Sequence, residues 1–363
     1  MLRTHISAGV KLDKTLSSYS ARRRKLLSMA EGKNVVVATP ENLFYVSDFF
    51  GSGVGVVTPE KTLIVTSPME EERANLTGVE VEVIPAAGSR ATRETVAKNL
   101  GKGGPCYIDD DSRMRGSKRF VKNEELFLAA RRVKDSEEVR RIERASEILD
   151  EIFTMLEGEL KRGRTEREVA AEVVKTALIA GATTSGFGGS LSPTILASGE
   201  NGAFPHSELT DRKIRDGDFV ISDLTFRYQG YCSDATRTFA VGRVSGEMKR
   251  NYGAVLEAQE YGARLAKAGK VCSEIHEGVV SRLKRHSLEK YFVHGTGHGV
   301  GIQVHEAPSL GRESKTRLAR GDVITVEPGV YFPGKYGIRI EDTLLVARQS
   351  RPLNRYQKEL VTV

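Results

Sequence analysis

The chain has 363 residues, of which 39% are hydrophobic and 28% are charged, and its formal net charge is +7. The length favours two domains, and the composition is that of a soluble globular protein. No stretch approaches 18 consecutive apolar residues and the first residues lack the apolar core of a signal peptide, which argues against a membrane-spanning chain and predicts a cytoplasmic protein.

The cysteines and the placement of charge narrow the class further. Cys106, Cys232 and Cys272 are odd in number and far apart, so we expect free thiols in a reducing compartment. The first 134 residues hold 22 basic and 16 acidic residues and therefore carry +6 of the net charge. Nucleic acid is one candidate partner for this basic region. A solvated helix face is favoured, because no aromatic residues or known motif accompany the basic run at 22–25.

The N-terminal third is predicted to be a small α/β domain without a catalytic constellation of its own. Short β-rich runs and one helical pattern follow each other at 34–39, 53–58, 62–66 and 90–100. We place the end of this domain at about residue 130, so that the two domains are 1–130 and 131–363.

The C-terminal part begins with helices. A capping-box pattern at Asp135 and Glu138 starts a long helix whose apolar residues recur at helical spacing. A similar pattern at 165–168 starts a helix that Gly181 should end. Further helices are predicted at about 246–268 and 273–290.

Two look-alike segments then supply acidic residues. Each opens with Gly-Asp, passes through four mostly apolar residues to a carboxylate, and brings a second carboxylate within fifteen residues. The four acids are Asp223, Asp234, Glu327 and Glu341. The segments lie 104 residues apart and follow helical stretches, which indicates an internal duplication. We expect two related α/β halves with a site between them.

Strand pairing would bring these acids together. Runs rich in β-branched and aromatic residues flank Gln229-Gly230, which predicts a tight hairpin in which Asp223 and Asp234 roughly face each other. Pro333-Gly334 predicts the same for the other pair. Cross-strand neighbours lie within about 5.5 Å, where two carboxylates repel and resist burial unless a cation binds. One such hairpin would suggest ordinary surface acids, but two matched hairpins favour a metal site.

A glycine- and histidine-rich segment at 294–308 supplies imidazoles. It contains His294, His298 and His305, three of the seven histidines. A dinucleotide-binding loop is the alternative, but the full Gly-x-Gly-x-x-Gly is missing and no ribose-binding acid follows. Four carboxylates with one imidazole are what two adjacent divalent cations require. Beside such a centre, His206 is a candidate to hydrogen-bond an oxyanion.

Together these motifs resemble the pita-bread metallopeptidases, specifically their Xaa-Pro branch, prolidase and aminopeptidase P. The matching motifs are Pro205-His206, Asp223 with Asp234, Gly297-His298-Gly299, His305-Glu306-x-Pro308, Glu327-Pro-Gly and Arg339-Ile-Glu341-Asp. The resemblance covers nearly the whole chain. It implies an α/β (α+β) fold with a C-terminal pita-bread catalytic domain, internally duplicated, behind a smaller α/β domain.

The resemblance also implies hydrolysis of Xaa-Pro peptide bonds at a dinuclear centre, with Xaa-Pro dipeptidase as the first interpretation. Asp223 would hold one cation, His298 and Glu327 the other, and Asp234 and Glu341 would bridge them. Glu327 is also the candidate to shuttle a proton. Mn and Co suit this donor set best, although Zn and Fe are admitted.

The remaining site residues act on the substrate or support the ligands. His206 and His305 would bind the substrate carbonyl and the tetrahedral oxyanion. His294 and Arg339 would lie behind the ligands. Arg339 alternates with Glu341 and can hold a carboxylate in place, the alternative being a surface ion pair.

Two departures from the family pattern leave the substrate length open. Ser309 stands where many prolidases have an arginine after the His-Glu-x-Pro run, and Leu224-Thr-Phe226 replaces a small Gly-Ala pair. Aminopeptidase P activity on longer peptides is therefore the alternative. A non-catalytic peptide-binding module is the alternative of another class, but such relatives usually lose metal ligands, and all five are present here.

The resemblance implies partners as well. A homodimer is expected, with the N-terminal domain narrowing the cleft so that only short Xaa-Pro peptides enter. The segment 48–54 combines aromatic bulk with glycines and is a candidate gate. A loop holding two core phenylalanines is the alternative.

Overall fold

The computed structural model describes residues 12–77, 79–101, 103–114, 117–184 and 194–363, with side chains from residue 18 onward. By contacts, the chain divides into two compact units, Met1–Arg131 and Arg132–Val363. Both mix helices with strands, as the predicted α/β class requires. Among the described residues, no helix combines the length and the apolarity needed to cross a membrane.

The first unit is built on a six-stranded sheet. Its strands are β1 (Val35–Val37), β2 (Gly53–Val57), β3 (Thr62–Thr66), β4 (Glu82–Pro85), β5 (Cys106–Ile108) and β6 (Phe120–Lys122). The order is β4-β3-β2-β1-β5-β6, with antiparallel pairs in the centre and parallel pairs outside. Every residue of β1, β2 and β3 is buried, as expected for strands covered on both faces. The three β-rich runs are therefore confirmed as strands.

Five helices accompany this sheet. They are α1 (Leu12–Met29), α2 (Pro40–Ser47), α3 (Glu71–Asn75), α4 (Gly88–Asn99) and α5 (Glu124–Arg132). Of these, α4 was predicted near 90–100, and α1 contains the basic run at 22–25 that was expected on a helix. The start of α2 has a local signal that the prediction missed, since Pro40 occupies the first helical turn, where its fixed φ favours a helix.

The candidate gate at 48–54 lies between α2 and β2. Asp48 has a φ of 57° and ends α2, while Gly53 and Val54 already belong to β2. Phe49 is buried, whereas Phe50 is 40% exposed. Phe50 is thus the one aromatic side chain of this segment that faces solvent, and a gate at this position stays a prediction.

The first half of the second unit packs two helices on a three-stranded sheet. Its elements are α6 (Ser136–Glu159), α7 (Glu166–Ile179), β7 (Thr194–Ser198), β8 (Phe219–Tyr228) and β9 (Tyr231–Ala240). Both predicted capping boxes are present, at Asp135 with Glu138 and at Thr165 with Glu168. The sheet order is β7-β8-β9, all antiparallel. The core of this half joins α6 and α7 to one face of β8 and β9.

The second half repeats the helix pair but divides its hairpin. Its elements are α8 (Gly246–Leu265), α9 (Cys272–Lys284), β10 (Val323–Val326), β11 (Gly329–Phe332), β12 (Tyr336–Arg339), β13 (Asp342–Leu345) and β14 (Arg351–Pro352). β10 pairs with β13, and β11 pairs with β12. The break falls at Glu327 and Pro328. Proline has no N–H for the ladder, which accounts for an interruption here.

The last predicted helix was too long. α9 ends at Lys284 rather than near residue 290. Ser287 has a φ of 56°, a left-handed conformation that no α-helix can continue through. A separate 3₁₀ turn follows at Glu289–Tyr291. The predicted free thiols are confirmed, since all three cysteines are unpaired and buried.

Candidate metal centre

The predicted acids lie on the sheet faces that point away from the helices. Side chains alternate along a strand, so Leu224 joins the helix-facing core while Asp223 points to the opposite side. In the second half, Ile338 and Ile340 belong to the core with α8 and α9. Glu341, one residue on from Ile340, therefore lies on the other face. The hydrophobic alternation of both hairpins positions their acids.

The two carboxylate pairs differ in register. Gln229 and Gly230 form the two-residue turn of a hairpin, with φ angles of 45° and 85°. Asp234 then pairs with Thr225, and Asp223 with Thr236. Asp223 and Asp234 are thus diagonal neighbours on one face, which corrects the expectation that they face each other.

The glutamates of the second half do stand opposite each other. Val326 pairs with Asp342 on one side of the ladder break, and Gly329 pairs with Arg339 on the other. The same register, continued through the break, places Glu327 opposite Glu341. Both glutamates therefore lie between the two paired segments, outside the regular strand pairing of β10 with β13 and of β11 with β12.

Four of the five predicted metal ligands adjoin one another. Ligand atoms of Asp234, His298 and Glu341 all lie within 4.8 Å of one another. The Nε2 atom of His298 is 3.7 Å from Oδ2 of Asp234 and 3.4 Å from Oε1 of Glu327. The spacing leaves room for a cation among these atoms, since metal-ligand bonds to nitrogen and oxygen are about 2.0–2.2 Å long.

Asp223, the fifth predicted ligand, is bound by Arg339. The Arg339 guanidinium donates to the Asp223 carboxylate, to the Tyr331 hydroxyl at 2.5 Å and to the Pro205 carbonyl at 3.2 Å. Arg339 is only 3% exposed, which excludes a surface ion pair. It holds a carboxylate, and that carboxylate belongs to Asp223 rather than to its neighbour Glu341.

Burial and mutual repulsion make the acids reluctant to ionise. Burial raises the pKa of Asp234 to about 8, with the charge of Asp223 adding to the shift. Burial also raises the pKa of Glu327 to about 7, against the opposing effect of Arg339. The pKa of Glu341 is raised well above its ordinary value by burial and by Asp234. One arginine cannot balance four carboxylates in so small a volume.

Divalent cations fit this donor set. The Oε2 atom of Glu341 accepts a hydrogen bond from Thr236 at 2.7 Å, but its Oε1 atom is buried without a partner. A buried carboxylate oxygen left in this way costs free energy unless a cation or proton binds to it. Hard oxygen donors with one imidazole are the ligands that Mn and similar metals accept.

The histidines divide into three environments. His298 places its Nδ1 atom 3.1 Å from the Gly299 carbonyl, so a proton there leaves Nε2 as a lone pair facing the acids. His305 stacks near it, with ring centroids 4.3 Å apart. Burial and the neighbouring His298 lower the pKa of His305 to about 4, so it is neutral at pH 7.

His294 lies behind the acids. Its Nδ1 atom is 2.8 Å from the Gly295 carbonyl and its Nε2 atom is 3.0 Å from the Tyr331 hydroxyl. Burial, with Arg339 adding to it, lowers the pKa of His294 to about 4. The neutral ring accepts from Tyr331, whose oxygen in turn accepts from Arg339. His206 is exposed, and its charge would lower the pKa of both His294 and His305, which places it on the same side of the site.

Sequence reasoning missed the residues that hold the ligands. The Thr225 hydroxyl donates to Asp234 at 2.9 Å, and Thr236 donates to Glu341 at 2.7 Å. Tyr331 connects His294 with Arg339. All three stand at alternate positions on the faces that bear the acids, so strand periodicity assigns them to those faces but not to the carboxylates that they contact.

Comparison with known proteins identifies the family. Residues 140–348, more than half of the chain, match metallopeptidase family M24. The chain belongs to that family. This confirms the predicted metallopeptidase, and membership implies divalent metal ions.

Individual relatives extend over nearly the whole chain. An Xaa-Pro dipeptidase of Pyrococcus horikoshii is 33% identical over 90% of this chain and 94% of its own length. The structure of an Xaa-Pro dipeptidase from Bacillus anthracis is 30% identical, with a TM-score of 0.86, and covers 95% of this chain and 100% of that one. An X-Pro aminopeptidase from Thermotoga maritima is 28% identical, with a TM-score of 0.84 over 95% and 99% of the two chains. The predicted fold and the resemblance to the Xaa-Pro branch are confirmed.

Proposed function

We propose that this M24 metallopeptidase is an Xaa-Pro dipeptidase with a dinuclear metal centre. The observation behind the proposal is the cluster formed by His298 with Asp234, Glu327 and Glu341, in which burial raises the pKa of all three carboxyl groups, together with Asp223, which Arg339 connects to them. Relatives called Xaa-Pro dipeptidase match more than 90% of their own length. This set of acids argues against a non-catalytic binding module.

The geometry supports the ligand assignment expected from the sequence. Asp223 would hold one cation and His298 with Glu327 the other, while Asp234 from the first half and Glu341 from the second would contact both cations. Glu341 has the free oxygen that bridging needs, because Thr236 occupies only its Oε2 atom. Two bound cations would supply Lewis acidity, lowering the pKa of water and polarising the scissile carbonyl.

The chain's own groups complete the reaction. Glu327 is the carboxylate at this centre that can accept a proton from the attacking water and return it to the leaving amine. His305, neutral at pH 7, can donate one N–H to the tetrahedral oxyanion, and His206 can bind the substrate carbonyl from the exposed side. His294 and Arg339 stay behind the ligands: Arg339 holds Asp223 directly, and His294 supports Arg339 through Tyr331.

Aminopeptidase P activity on longer peptides is the second candidate. Ser309 replaces the arginine that many prolidases place after the His-Glu-x-Pro run. Without that guanidinium, the C-terminal carboxylate of a dipeptide loses one specific partner. The similarity to an X-Pro aminopeptidase structure supports keeping this candidate.

Turnover by the metal-loaded protein distinguishes these functions. We expect cleavage of Gly-Pro and Ala-Pro, slower cleavage of Xaa-Pro-Xaa tripeptides, and no cleavage of an Xaa-Ala control. Faster cleavage of tripeptides would assign the aminopeptidase P function. Tight binding of all these peptides without cleavage, under Mn or Co, would leave only a binding module.

Further properties complete the proposal. Mn or Co is the proposed metal, Zn and Fe being the other candidates for one imidazole among carboxylates. The first unit, residues 1–130 in the sequence-based division, is proposed to support a homodimer and to restrict access to short peptides in the cytoplasm. A monomer in light scattering, or efficient cleavage of long Xaa-Pro peptides, would contradict this role.

A further inference from the structure

Glu166 is a buried acid outside the metal centre whose carboxylate gathers five hydrogen bonds. It begins α7 and is 0% exposed. Its Oε1 atom accepts from the backbone N–H of Ser198 at 2.7 Å and from the Ser198 hydroxyl at 2.8 Å. Its Oε2 atom accepts from Asn201 Nδ2 at 2.8 Å and from the backbone N–H and hydroxyl of Thr210 at 3.1 and 2.6 Å. Every one of these donors is uncharged.

These donors are not scattered over the fold. They lie at the start and end of one stretch, residues 198–210, which we call the histidine loop because His206 lies within it. A carboxylate is required at this position, because it is an acceptor at both oxygens while an amide offers only one. The N-terminal end of α7 adds a favourable field for the negative charge.

The middle of the histidine loop is fixed towards the metal centre. Arg339, which holds Asp223, also donates to the Pro205 carbonyl at 3.2 Å. The Ser207 hydroxyl bonds back to carbonyls of the same loop at Asn201 and Phe204. His206 lies between these two anchors and its own ring is exposed. With its neighbours fixed, the direction of the ring depends on where the ends of the loop are held.

We propose that Glu166 is a positioning residue for His206. It determines the place of the histidine loop, and with it the place of the imidazole that would bind the substrate carbonyl. The inference rests on the proposed function in that the role of His206 is part of it. Glu166 itself does not touch the substrate, so its effect passes entirely through the loop.

Two kinds of variant test this role. Glu166→Gln replaces one accepting oxygen by an NH2 group, which cannot accept hydrogen bonds, so the donors at one end of the loop lose their partner. Thr210→Val removes one hydroxyl donor, whereas Thr210→Ser retains it. Glu138→Gln is the matched control, because Glu138 is a buried acid in the first turn of α6 that binds Asp135 N and Tyr231 rather than the loop.

A double-mutant cycle on an Xaa-Pro dipeptide gives the decisive measurement. We expect Glu166→Gln to lower kcat by about 10- to 100-fold, since a displacement near 1 Å can cost about 100-fold. KM and metal content should change little. In a His206→Ala background, Glu166→Gln should lower kcat hardly any further. Glu138→Gln, in contrast, should change kcat by the same factor whether or not His206 is present. Thr210→Val should lower kcat, and Thr210→Ser should not.

The same factor for Glu166→Gln with and without His206 would overturn the proposal, as would an unchanged kcat. If Glu166→Gln fails to fold, the comparison of Thr210→Val with Thr210→Ser takes its place. Equal activity of these two variants would contradict the positioning role of Glu166. Imidazole signals in NMR spectra of the Zn-loaded protein provide a readout independent of turnover. The His206 signal, identified by its loss in His206→Ala, should shift in Glu166→Gln and not in Glu138→Gln. A wild-type protein that cleaves no Xaa-Pro substrate would sink the proposed function, and the spectra would still test the positioning.

Discussion

Glu341 is the residue whose surroundings most directly require a cation. One of its oxygens is buried without a partner, and Asp234 and Glu327 repel its charge. We expect Glu341→Gln and Asp234→Asn to bind fewer than two metal ions per chain. Even the outer partners of metal ligands cost roughly 10- to 100-fold when mutated, so activity should fall by more than about 100-fold. Elemental analysis and kcat/KM of the purified variants give both values.

Glu172→Gln is a suitable control for that pair, because Glu172 pairs with Lys175 on the exposed face of α7. It should match the wild type in metal content and turnover. Two tightly held metals together with near-normal turnover in Glu341→Gln would refute the dinuclear assignment.

The histidines should separate by function. His298 faces Asp234 and Glu327, so His298→Ala should lose both metal and activity. His206→Ala and His305→Ala should keep their metals and lose kcat by about 100- to 1,000-fold, the usual cost of removing an oxyanion donor. Metal analysis beside steady-state kinetics measures this division. A His206→Ala variant with wild-type turnover would remove His206 from the mechanism.

Matched patterns of acids, histidines and an arginine, together with the family resemblance that they carry, were enough to nominate the nine site residues. The hydroxyl groups of Thr225, Thr236 and Tyr331 carried no comparable signal. Threonine and tyrosine are common in any strand, so their chemistry is hidden by their strand propensity. Only the register between β8, β9 and the later strands assigns them to particular carboxylates.

At the scale of elements, the loop between His298 and Pro308 depends on an ion pair from outside it. The Nζ atom of Lys134 lies 3.0 Å from Oε2 of Glu306, and the two side chains are 1% and 3% exposed. Removing one partner of a buried pair costs about 3–5 kcal/mol. Lys134→Met should therefore lower the free energy of unfolding by about that much in urea titrations, and should lower kcat, because His305 directly precedes Glu306.

The double variant Lys134→Met with Glu306→Gln is the matched control. Since it removes both charges, it should regain most of the stability that Lys134→Met loses. A single variant within about 1 kcal/mol of the wild type would mean that this pair does not hold the loop.

The elements themselves were predictable to different depths. Helices with capping boxes, such as α6 and α7, were identified because local sequence determines where they begin. The hairpin of β8 and β9 was identified by its turn. The diagonal placement of Asp223 and Asp234 was not predicted, because it depends on the exact residue pairs that the turn sets opposite each other. Pro328 signals a break in the second hairpin, but its effect on Glu327 appears only with the register.

At the scale of the whole molecule, the two halves of the second unit meet through the faces that bear the acids. Thr236 donates to Glu341, and Thr343 donates to the Asp234 carbonyl at 2.7 Å. Each half contributes charges that its own fold does not neutralise. Metal binding should therefore stabilise the unit as well as equip it for catalysis.

The metal-free protein should lose stability as the pH rises from about 6.5 to 8. Burial raises the pKa of Asp234 from 3.8 to about 8 and that of Glu327 from 4.5 to about 7 in the folded state. In this window the folded chain therefore binds more protons than the unfolded chain, and the free energy of unfolding falls with increasing pH. Below pH 6.5 the lowered pKa values of His294 and His305 make the free energy of unfolding rise with pH instead, so the pH range for this test starts at 6.5. Thermal unfolding of the protein in EDTA and of the Mn-loaded protein, compared at each pH, measures this loss of stability.

The difference in Tm between the two forms should widen towards pH 8, because bound cations keep the carboxylates ionised. A metal-free Tm that stays constant or rises across this window would show that the acids do not form the mutually repelling cluster on which the metal site depends.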